Sequence, residues 1–298
     1  MAGPFDVKHS DFHRLIPADS EILRVATGFE FTEGPVYNRQ DFLLFSDLPS
    51  ERILKFTLPP TSRGPSDGEL SEFRVNSSRA NGLTFDHQGR LLACETGLGR
   101  VTRTEKNGVI TVLADEYAGK RLNSPNDLVY NIDGSVYFTD LPRQGQPTGP
   151  EHMSHGAIYQ IPRRGAPRMV YRDGKRSNGV ALGPKQLTLF AADSTERNIR
   201  IFDIAADGTL RNTRVFAELN SPAEGVPDGL KTDEGGNVYC TGPGGLWIFN
   251  PAGAHLGTIV LPELPSNCCW GRGFRGLYIT ARTSVYHVRT AVSGTRTF

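Results

Sequence analysis

The chain has 298 residues, of which 38% are hydrophobic and 22% are charged, a composition typical of a globular protein that excludes intrinsic disorder. It carries 33 Lys and Arg against 32 Asp and Glu, and it has no basic run with interleaved aromatics, so nucleic acid is not an expected partner. No apolar stretch approaches the ~20 residues of a membrane span, and residues 1–20 lack the apolar core of a secretion signal. We therefore expect a cytoplasmic protein without membrane contact.

The predicted elements are β-strands, and they recur as one repeated unit. Residues 1–20 are interpreted as an N-terminal extension, followed by an isolated strand-like segment, "EILRVA", at 21–26. The first unit, "TEGPVYNRQDFLLFSD" at 32–47, contains a polar leading residue, an apolar run, a turn and a second β-rich run. Five further units repeat this order: "RANGLTFDHQGRLLACE" (79–95), "SPNDLVYNIDGSVYFTD" (124–140), "SNGVALGPKQLTLFAAD" (177–193), "PDGLKTDEGGNVYCTG" (227–242) and "SNCCWGRGFRGLYITA" (266–281).

The spacing of the units predicts an all-β, six-bladed β-propeller. The units recur about every 40–50 residues, the length of a blade of four antiparallel strands, and a third and a fourth β-rich run follow in most copies. The sixth copy ends near Thr290 without a fourth run, so we expect the segment at 21–26 to supply the missing strand and close the ring. No helical periodicity is present, which excludes βαβ architectures. The predicted propeller spans 21–290, and 291–298 form a C-terminal tail.

The four cysteines do not predict a disulfide framework in a chain of this length. Cys94 and Cys240 fall inside strand-like runs, Cys268 and Cys269 are adjacent, and no Cys-x-x-Cys pair occurs. A zinc–thiolate site is therefore not expected. We expect reduced, buried thiols that pack as small apolar side chains.

The leading residue of each unit defines a candidate ligand ring. The first strand of each propeller blade lines the central channel, so the six leading side chains should meet at one channel opening. Asn-Gly and Asp-Gly are also turn dipeptides, and this alternative is strongest for the sixth residue. However, each unit has its own hairpin turn further along, and a glutamate with little turn propensity occupies the same register. The leading residues are Glu33, Asn81, Asn126, Asn178, Asp228 and Asn267.

Carboxylate and amide oxygens, without sulfur or an obvious imidazole, are donors that suit a hard divalent cation. Glu33 and Asp228 would balance a charge of +2, while amide oxygens add ligands without adding repulsion. Ca²⁺ is the default for these ligand types, and Mg²⁺, Mn²⁺, Zn²⁺ or Fe²⁺ are the alternatives. A site with three or four protein ligands leaves positions for water and substrate.

Several segments, in this order, resemble the signature segments of the SMP-30/gluconolactonase family: "FTEGPVY", "SPNDLV", "SNGVAL", "PDGLKTDEGGNVYCTGPGGLWIF" and "SNCCWGRGFRGLYITA". The resemblance covers roughly residues 22–290. It implies a six-bladed propeller with a divalent metal in the channel; members are mainly sugar lactonases, and related propellers hydrolyse organophosphates such as diisopropyl fluorophosphate. It also implies that Glu33, Asn178 and Asp228 bind the metal, and that Asn126 binds the metal or contacts substrate.

The chain departs from the family pattern in two places. In the animal members an Arg that contacts substrate lies two residues before the position of Asn126, where this chain has Ser124. Arg79 and Arg121 lie nearby in sequence but do not match that motif. The phosphatase branch uses a channel histidine without a clear counterpart here, and His155 is the candidate. The identity of the substrate is therefore less defined than the metal site.

The expected reaction is hydrolysis of a five- or six-membered sugar lactone to the aldonic acid, with a metal-polarised carbonyl and attack by water. We expect Asp228 to act as general base. The alternatives are Asp127 as the base and direct attack by Asp228 as a nucleophile. The expected substrate contacts are Asn81, Asn126, Arg79 and Arg121.

Two other functions stay open. One is a phosphotriester hydrolase, and the other is a non-enzymatic propeller that binds a protein, or a metal and sugar acids. Scaffold propellers of the WD type carry a Trp-Asp pair in each blade, whereas neither tryptophan here precedes an aspartate. The polar loop at 143–156, which contains His152 and His155, is interpreted either as a substrate lid or as an inert surface loop. We expect a monomer whose partner is a small lactone.

Overall fold

A computed structural model describes residues 3–59, 64–142, 149–173 and 176–297. Strand β1 (Phe5–Val7), helix α1 (Phe12–Leu15) and strand β2 (Ile22–Thr27) precede the repeated units. Short 3₁₀ turns lie at Pro65–Asp67, Pro184–Gln186 and Arg272–Phe274. Within the described ranges, every helix is too short or too polar to cross a membrane.

The repeated units form six antiparallel sheets, which are called blades I to VI in chain order. Blade I contains β3 (Thr32–Asn38), β4 (Phe42–Asp47), β5 (Arg52–Thr57) and β6 (Glu69–Arg74). Blade II contains β7 (Ala80–Phe85), β8 (Leu91–Glu95), β9 (Arg100–Thr104) and β10 (Ile110–Ala114), and a separate ribbon of β11 (Glu116–Tyr117) and β12 (Lys120–Arg121) follows it. Blade III contains β13 (Ser124–Tyr130), β14 (Val136–Leu141), β15 (Gly156–Ile161) and β16 (Arg168–Asp173).

The remaining blades follow the same plan. Blade IV contains β17 (Ser177–Leu182), β18 (Thr188–Asp193), β19 (Asn198–Ile204) and β20 (Leu210–Glu218). Blade V contains β21 (Leu230–Thr232), β22 (Val238–Gly242), β23 (Gly245–Phe249) and β24 (His255–Ile259). Blade VI contains β25 (Pro265–Trp270), β26 (Leu277–Ala281) and β27 (Ser284–Val288), with β2 as its outer strand. The six-bladed, all-β fold predicted from the repeat is confirmed.

The ring is closed by the N-terminal strand, as the missing fourth run of the last unit predicted. β2 pairs antiparallel with β27, with Ile22 opposite Val288 and Thr27 opposite Ser284. This pairing covers the exposed edge of blade VI.

Residues before β2 also join the propeller, which the sequence analysis did not predict. β1 pairs with β24 and gives blade V a fifth strand. Phe12 and Ile16 are fully buried in a core cluster with side chains of blades V and VI, such as Tyr239 and Leu277. Residues 5–16 therefore contribute to the sheet of blade V and to the core.

The hydrophobic cores lie between neighbouring blades. In one of them Leu44 of blade I packs with Leu83 and Phe85 of blade II, and the other clusters repeat this arrangement around the ring. Inner strands such as β3 are buried along their length, whereas the outer strand β6 is exposed. All four cysteines are buried and unbridged, which confirms the expectation from the sequence.

A side-chain hydroxyl links each blade to the next through a hydrogen bond to a main-chain carbonyl. Each acceptor carbonyl lies at the start of the next blade, within two residues of that blade's leading residue. These junction hydrogen bonds are short and buried or half-buried, so they fix the blades against one another at one end of the channel. They are Ser46–Asn81 O (2.8 Å), Thr96–Pro125 O (2.6 Å), Thr139–Asn178 O (2.6 Å), Ser194–Pro227 O (2.7 Å), Thr241–Ser266 O (2.9 Å) and Ser266–Thr32 O (2.7 Å).

Candidate active site and metal centre

The leading residues lie in or beside the innermost strands and not in hairpin turns. Five of them are strand residues, in β3, β7, β13, β17 and β25, while Asp228 lies two residues before β21. The pairing register of those five inner strands shifts next to the leading residue, for example between Glu33 and Val36 and between Ser177 and Val180. Such bulges redirect side chains locally. Turn chemistry therefore does not account for these residues.

The glycines that follow several leading residues allow close contact between blades. A Cβ added to Gly82 would collide with Asp127, and one added to Gly179 would collide with the carbonyl of Asp228. Neither glycine has a positive φ, so its role is close approach and not an unusual backbone conformation.

Contacts of this kind, together with the junction hydrogen bond from Thr139 to Asn178 O between blades III and IV, connect the leading residues in a closed ring. Gly34, next to Glu33, lies against the carbonyl of Asn81, and Gly229, next to Asp228, lies against the side chain of Asn267. The amide of Asn267 then donates to Glu33 Oε2 at 3.0 Å. The six leading residues therefore meet at one end of the channel, which we call the proximal end.

Three carboxylates share this end, and the pKa is raised in two of them, Glu33 and Asp228. Glu33 and Asp127 are each 3% exposed. Burial raises the pKa of Glu33 to about 7, and the charge of Asp127 adds to the increase, whereas hydrogen bonds from Gly34 N–H and Asn267 lower it. Asp228 is half-buried as a whole residue, but its carboxyl group is buried. This burial raises the pKa of Asp228, and the charges of Glu33 and Asp127 raise it further. A cation bound among them would relieve both the burial and the repulsion.

Asn178 presents a buried oxygen without a partner. Its Nδ2 donates to Ser194 Oγ at 3.0 Å, and Ser194 in turn donates to Pro227 O. The amide is thereby fixed, and Asn178 Oδ1 is buried without a hydrogen bond among the described residues. An unpaired buried acceptor costs about 1–3 kcal/mol, which a cation at this oxygen would offset.

The donor set fits a hard cation. Among the residues that the structure describes, no group of three or more His, Cys, Asp or Glu suits a metal ion. The predicted set contains only the carboxylates of Glu33 and Asp228, and it takes its other donors from the amides of Asn126 and Asn178. Glu33 Oε1 and the Asp228 carboxylate make no hydrogen bonds to described residues, so both are available as ligands.

Asn267 and Asp127 are engaged elsewhere. Asn267 Oδ1 accepts from Cys268 N and from Lys231 Nζ, and its Nδ2 donates to Glu33, so the side chain positions Glu33. Asp127 Oδ1 accepts from Leu128 N and its Oδ2 accepts from Val180 N, which ties blade III to blade IV. The two carboxylates thus differ: Asp127 holds the backbone, whereas Asp228 has no such bond.

The predicted substrate contacts differ in their surroundings. Asn81 is 6% exposed, Asn126 is half-buried, and their side-chain amides make no hydrogen bonds within the described part of the chain. Arg79 and Arg121 are exposed, and Arg121 Nη2 donates to Leu98 O at 3.3 Å. The structure brings the two asparagines into the ring, while the two arginines lie outside it.

Arg176 is a site residue that the sequence analysis missed. It is half-buried, two residues before Asn178, and its positive charge opposes the pKa increase of Asp228. Its Nε is buried without a hydrogen bond to described residues. Arg79 occupies the same position relative to Asn81, so an Arg two residues before a leading Asn was the available signal.

The described part of the third-blade loop packs beside β12. Met153 N donates to Arg121 O, and Arg121 N donates to Glu151 O. The Nδ1 atoms of His152 and His155 hydrogen bond the carbonyls of Leu122 and Gly156. Residues 143–148 of the predicted lid lie outside the described residues, so a lid remains a prediction.

A cavity of about 430 Å³ occupies the other end of the channel, which we call the distal end. Its walls are formed further along the same inner strands, by side chains such as Val36, Leu83, Leu128, Leu182 and Trp270. None of the predicted metal or substrate residues is among its described lining. We call this space the distal cavity.

The fold and the ring define a propeller with a polar site at one end of its channel. A family model described as the SMP-30/Gluconolactonase/LRE-like region matches residues 31–283. A gluconolactonase of Zymomonas mobilis subsp. mobilis is 30% identical over 302 residues, which cover 94% of this chain and 84% of that protein. The chain belongs to the SMP-30/gluconolactonase/LRE-like family, which confirms the resemblance seen in its motifs.

Solved structures agree with this assignment. XC5397 from Xanthomonas campestris, described as a gluconolactonase, has a TM-score of 0.85 at 30% identity, covering 97% of this chain and 95% of that chain. Regucalcin from Agrobacterium tumefaciens, described as a calcium-binding protein, has a TM-score of 0.75 at 15% identity, covering 93% of this chain and 95% of that chain. The second likeness concerns the fold alone.

Proposed function

We propose that this protein is a metal-dependent lactonase that opens a sugar lactone, such as gluconolactone, to its aldonic acid. The observation that carries the proposal is the unpaired, buried oxygen of Asn178 in a ring with Glu33 and Asp228. If Asn178 had only a structural role, its side-chain oxygen would accept a hydrogen bond from the protein. The names of the relatives, a gluconolactonase in each 30% identical case, support the reaction class.

The proposed metal ligands are Glu33, Asn126, Asn178 and Asp228. The all-oxygen donor set favours Ca²⁺, with Mg²⁺, Mn²⁺, Zn²⁺ and Fe²⁺ as alternatives. When bound, the cation supplies Lewis acidity that polarises the lactone carbonyl and stabilises the oxyanion formed on it.

The residues of the chain then supply orientation and proton transfer. Asp228 is the proposed general base, because its carboxylate has no hydrogen bond to described residues, whereas both oxygens of Asp127 accept backbone N–H groups. Asp228 takes a proton from the attacking water as the water oxygen bonds to the carbonyl carbon. The ring C–O bond then breaks and the departing oxygen receives that proton from Asp228, which releases the hydroxy acid and restores the carboxylate.

The proposed substrate contacts are Asn81 and Asn126, with Arg79 or Arg121 at the rim. The amides of the two asparagines are available to bind sugar hydroxyls. Arg176 is an additional contact, because its charge already acts at Asp228. It would donate hydrogen bonds to the substrate beside the reacting carbonyl.

The test is pH-stat titration of a panel of aldonolactones, corrected for spontaneous hydrolysis, with metal content measured in the same preparations. We expect acid release on at least one lactone, its loss in EDTA and its recovery with one added cation. Acid release that persists after complete metal removal would contradict metal dependence. If paraoxon is hydrolysed and no lactone is opened, the phosphotriesterase alternative replaces the proposal; no turnover of either, with a metal bound, favours the binding propeller.

A further inference from the structure

The distal cavity has the size and lining of a small-molecule site. Its volume of about 430 Å³ falls within the ~300–1,000 Å³ typical of ligand pockets. Side chains of all six blades contribute, and most of the wall is apolar. Ligand pockets of proteins are commonly built in this way, with a few polar groups that fix the orientation.

A tyrosine ring forms part of the wall. Tyr37 lines the cavity, is 7% exposed and stacks on Tyr278 with ring centroids 5.6 Å apart. Its hydroxyl is buried beside Arg272, whose Nε donates to Asp41 at 3.0 Å. Tyr37 therefore contributes its ring, and not its hydroxyl, to the surface of the cavity.

The charged groups of the lining favour an anion. Arg39, Lys231 and Arg296 line the cavity, against one carboxylate in its described lining, Asp41. Asp41 is ion-paired with Arg272, and Arg296 Nε lies 3.7 Å from Glu234 Oε1. These two pairs cancel, so the lining keeps an excess of positive charge. Lys231 Nζ donates to Leu230 O and Asn267 Oδ1, which leaves one of its three protons for a ligand. The wall thus combines an apolar surface with an excess of cations.

The C-terminal residues form part of the mouth. Thr295 N donates to Thr232 O, and Gln186 Nε2 donates to Arg296 O, so the tail is held across blades IV and V. Arg296 lies over the ring of Phe274, with its Cζ 5.4 Å from the ring centroid. A guanidinium is therefore positioned at the edge of the opening.

We propose that the distal cavity is a second binding site, separate from the ring of leading residues, for a small aromatic or aliphatic carboxylate. The apolar body of the ligand packs against the inner-strand side chains, and its carboxylate accepts hydrogen bonds from the cations.

The probe is 3-phenylpropionate, compared with the neutral 3-phenylpropan-1-ol. The chain has two tryptophans, and Trp270 lines the cavity whereas Trp247 does not, so the Trp247→Phe protein reports on the site through Trp270 fluorescence. We expect a saturable change with the carboxylate and at least tenfold weaker binding of the alcohol. No saturable change with either compound, or equal affinity for both, overturns the proposal.

Two pairs of variants locate the site. Arg296→Gln should weaken carboxylate binding at least threefold, whereas Arg211→Gln, at an arginine of similar exposure away from the cavity, should not. Thr84→Phe places a larger side chain in the cavity and should abolish binding, whereas Val112→Phe on the exposed outer strand of blade II should not. Circular dichroism checks that each variant is folded. Binding that survives in a folded Thr84→Phe variant places the probe elsewhere and overturns the proposal.

Discussion

At the proximal end of the channel, the inner strands present carboxylates and amides whose hydrogen bonds are incomplete. At the distal end the same strands present Leu, Val, Trp and Tyr side chains around a cavity. β17 contains the contrast within six residues, because Asn178 near its start keeps an unpaired oxygen while Leu182 at its end is 1% exposed. The side chains that stabilise the fold and those proposed to take part in the chemistry therefore lie at opposite ends of this strand.

One side chain connects the two ends. Lys231 lines the distal cavity, and its ammonium also donates to Asn267, which in turn donates to Glu33. Substitutions at either end should otherwise act independently, because sites without shared partners behave additively.

The largest effect is expected at Asp228, if the proximal end is the catalytic one. Asp228→Asn removes the proposed base and one of the two negative charges of the ligand set, so lactone turnover should fall at least ~10³-fold. Asp203→Asn, at an exposed surface aspartate, is the control and should keep full activity. Retention of a tenth of the turnover in folded Asp228→Asn protein would remove Asp228 from the mechanism.

Two substitutions on β17 compare the ends directly. Asn178→Ala should weaken metal binding ~10–100-fold with little change in the unfolding free energy of the metal-free protein. Leu182→Ala should lower that free energy by about 2–4 kcal/mol and leave kcat/KM unchanged at 25 °C. Calorimetric metal titration and urea unfolding measure the two quantities. If Leu182→Ala impairs turnover as strongly as Asn178→Ala, the separation of the ends is wrong.

A smaller effect is expected from Ser194, which positions two proposed ligands. Ser194→Ala releases the Asn178 amide and removes the hydrogen bond to Pro227 O, beside Asp228, so metal affinity should fall about tenfold. Ser46→Ala loses an equivalent junction hydrogen bond, to Asn81 O, and is the matched control. Both variants should lose ~1 kcal/mol of stability. Equal metal affinities in the two variants would show that Ser194 is only a structural link.

The last effect concerns the response of the distal end to acid. Burial lowers the pKa of His287 to about 4, and the ring of Tyr278 packs on it with centroids 4.9 Å apart. Because the folded protein binds this proton less readily than the unfolded chain, the contribution of His287 to stability should be lost as the pH falls from about 6.5 towards 4. Glu33 and Asp228, whose pKa values are raised, act in the opposite direction, so the contribution is the difference between two proteins that both contain them. Between pH 7.5 and pH 5 the unchanged protein should lose about 1–2 kcal/mol more, or gain that much less, than His287→Gln. Urea unfolding of both proteins at both pH values measures the difference, and an identical pH dependence in the variant would contradict the assignment.

The fold could be predicted from the sequence because each blade is a local unit. Turn signals and alternating runs mark every repeat, and the missing last strand follows from the incomplete sixth unit. β1 could not be predicted, since three residues, Phe5–Val7, are too few to show a period and their partner β24 lies at the other end of the chain.

The ring could be predicted for the same reason, since the register places one residue per blade at the channel. The roles within the ring could not, because they depend on contacts between blades. The side-chain amide of Asn267 hydrogen bonds with Lys231 and Glu33. In contrast, Ser194 binds only the Nδ2 of Asn178, and Asn178 Oδ1 has no partner among the described residues. The two asparagines look alike in the sequence. The position of Arg176 two residues before Asn178 was visible in the sequence, but its proximity to Asp228 in the next blade depends on the fold.

The pairing of β2 with β27 has a consequence for how the protein is made. Thr27 and its hydrogen-bonded partner Ser284 are 257 residues apart, so a ribosome releases the first strand long before its neighbour has been translated. Until then the apolar face of blade I that packs on blade VI is uncovered and β2 has no partner strand, and both can join other chains. Ring closure is therefore a late step of biogenesis, and slow translation of the last blade would prolong the aggregation-prone interval.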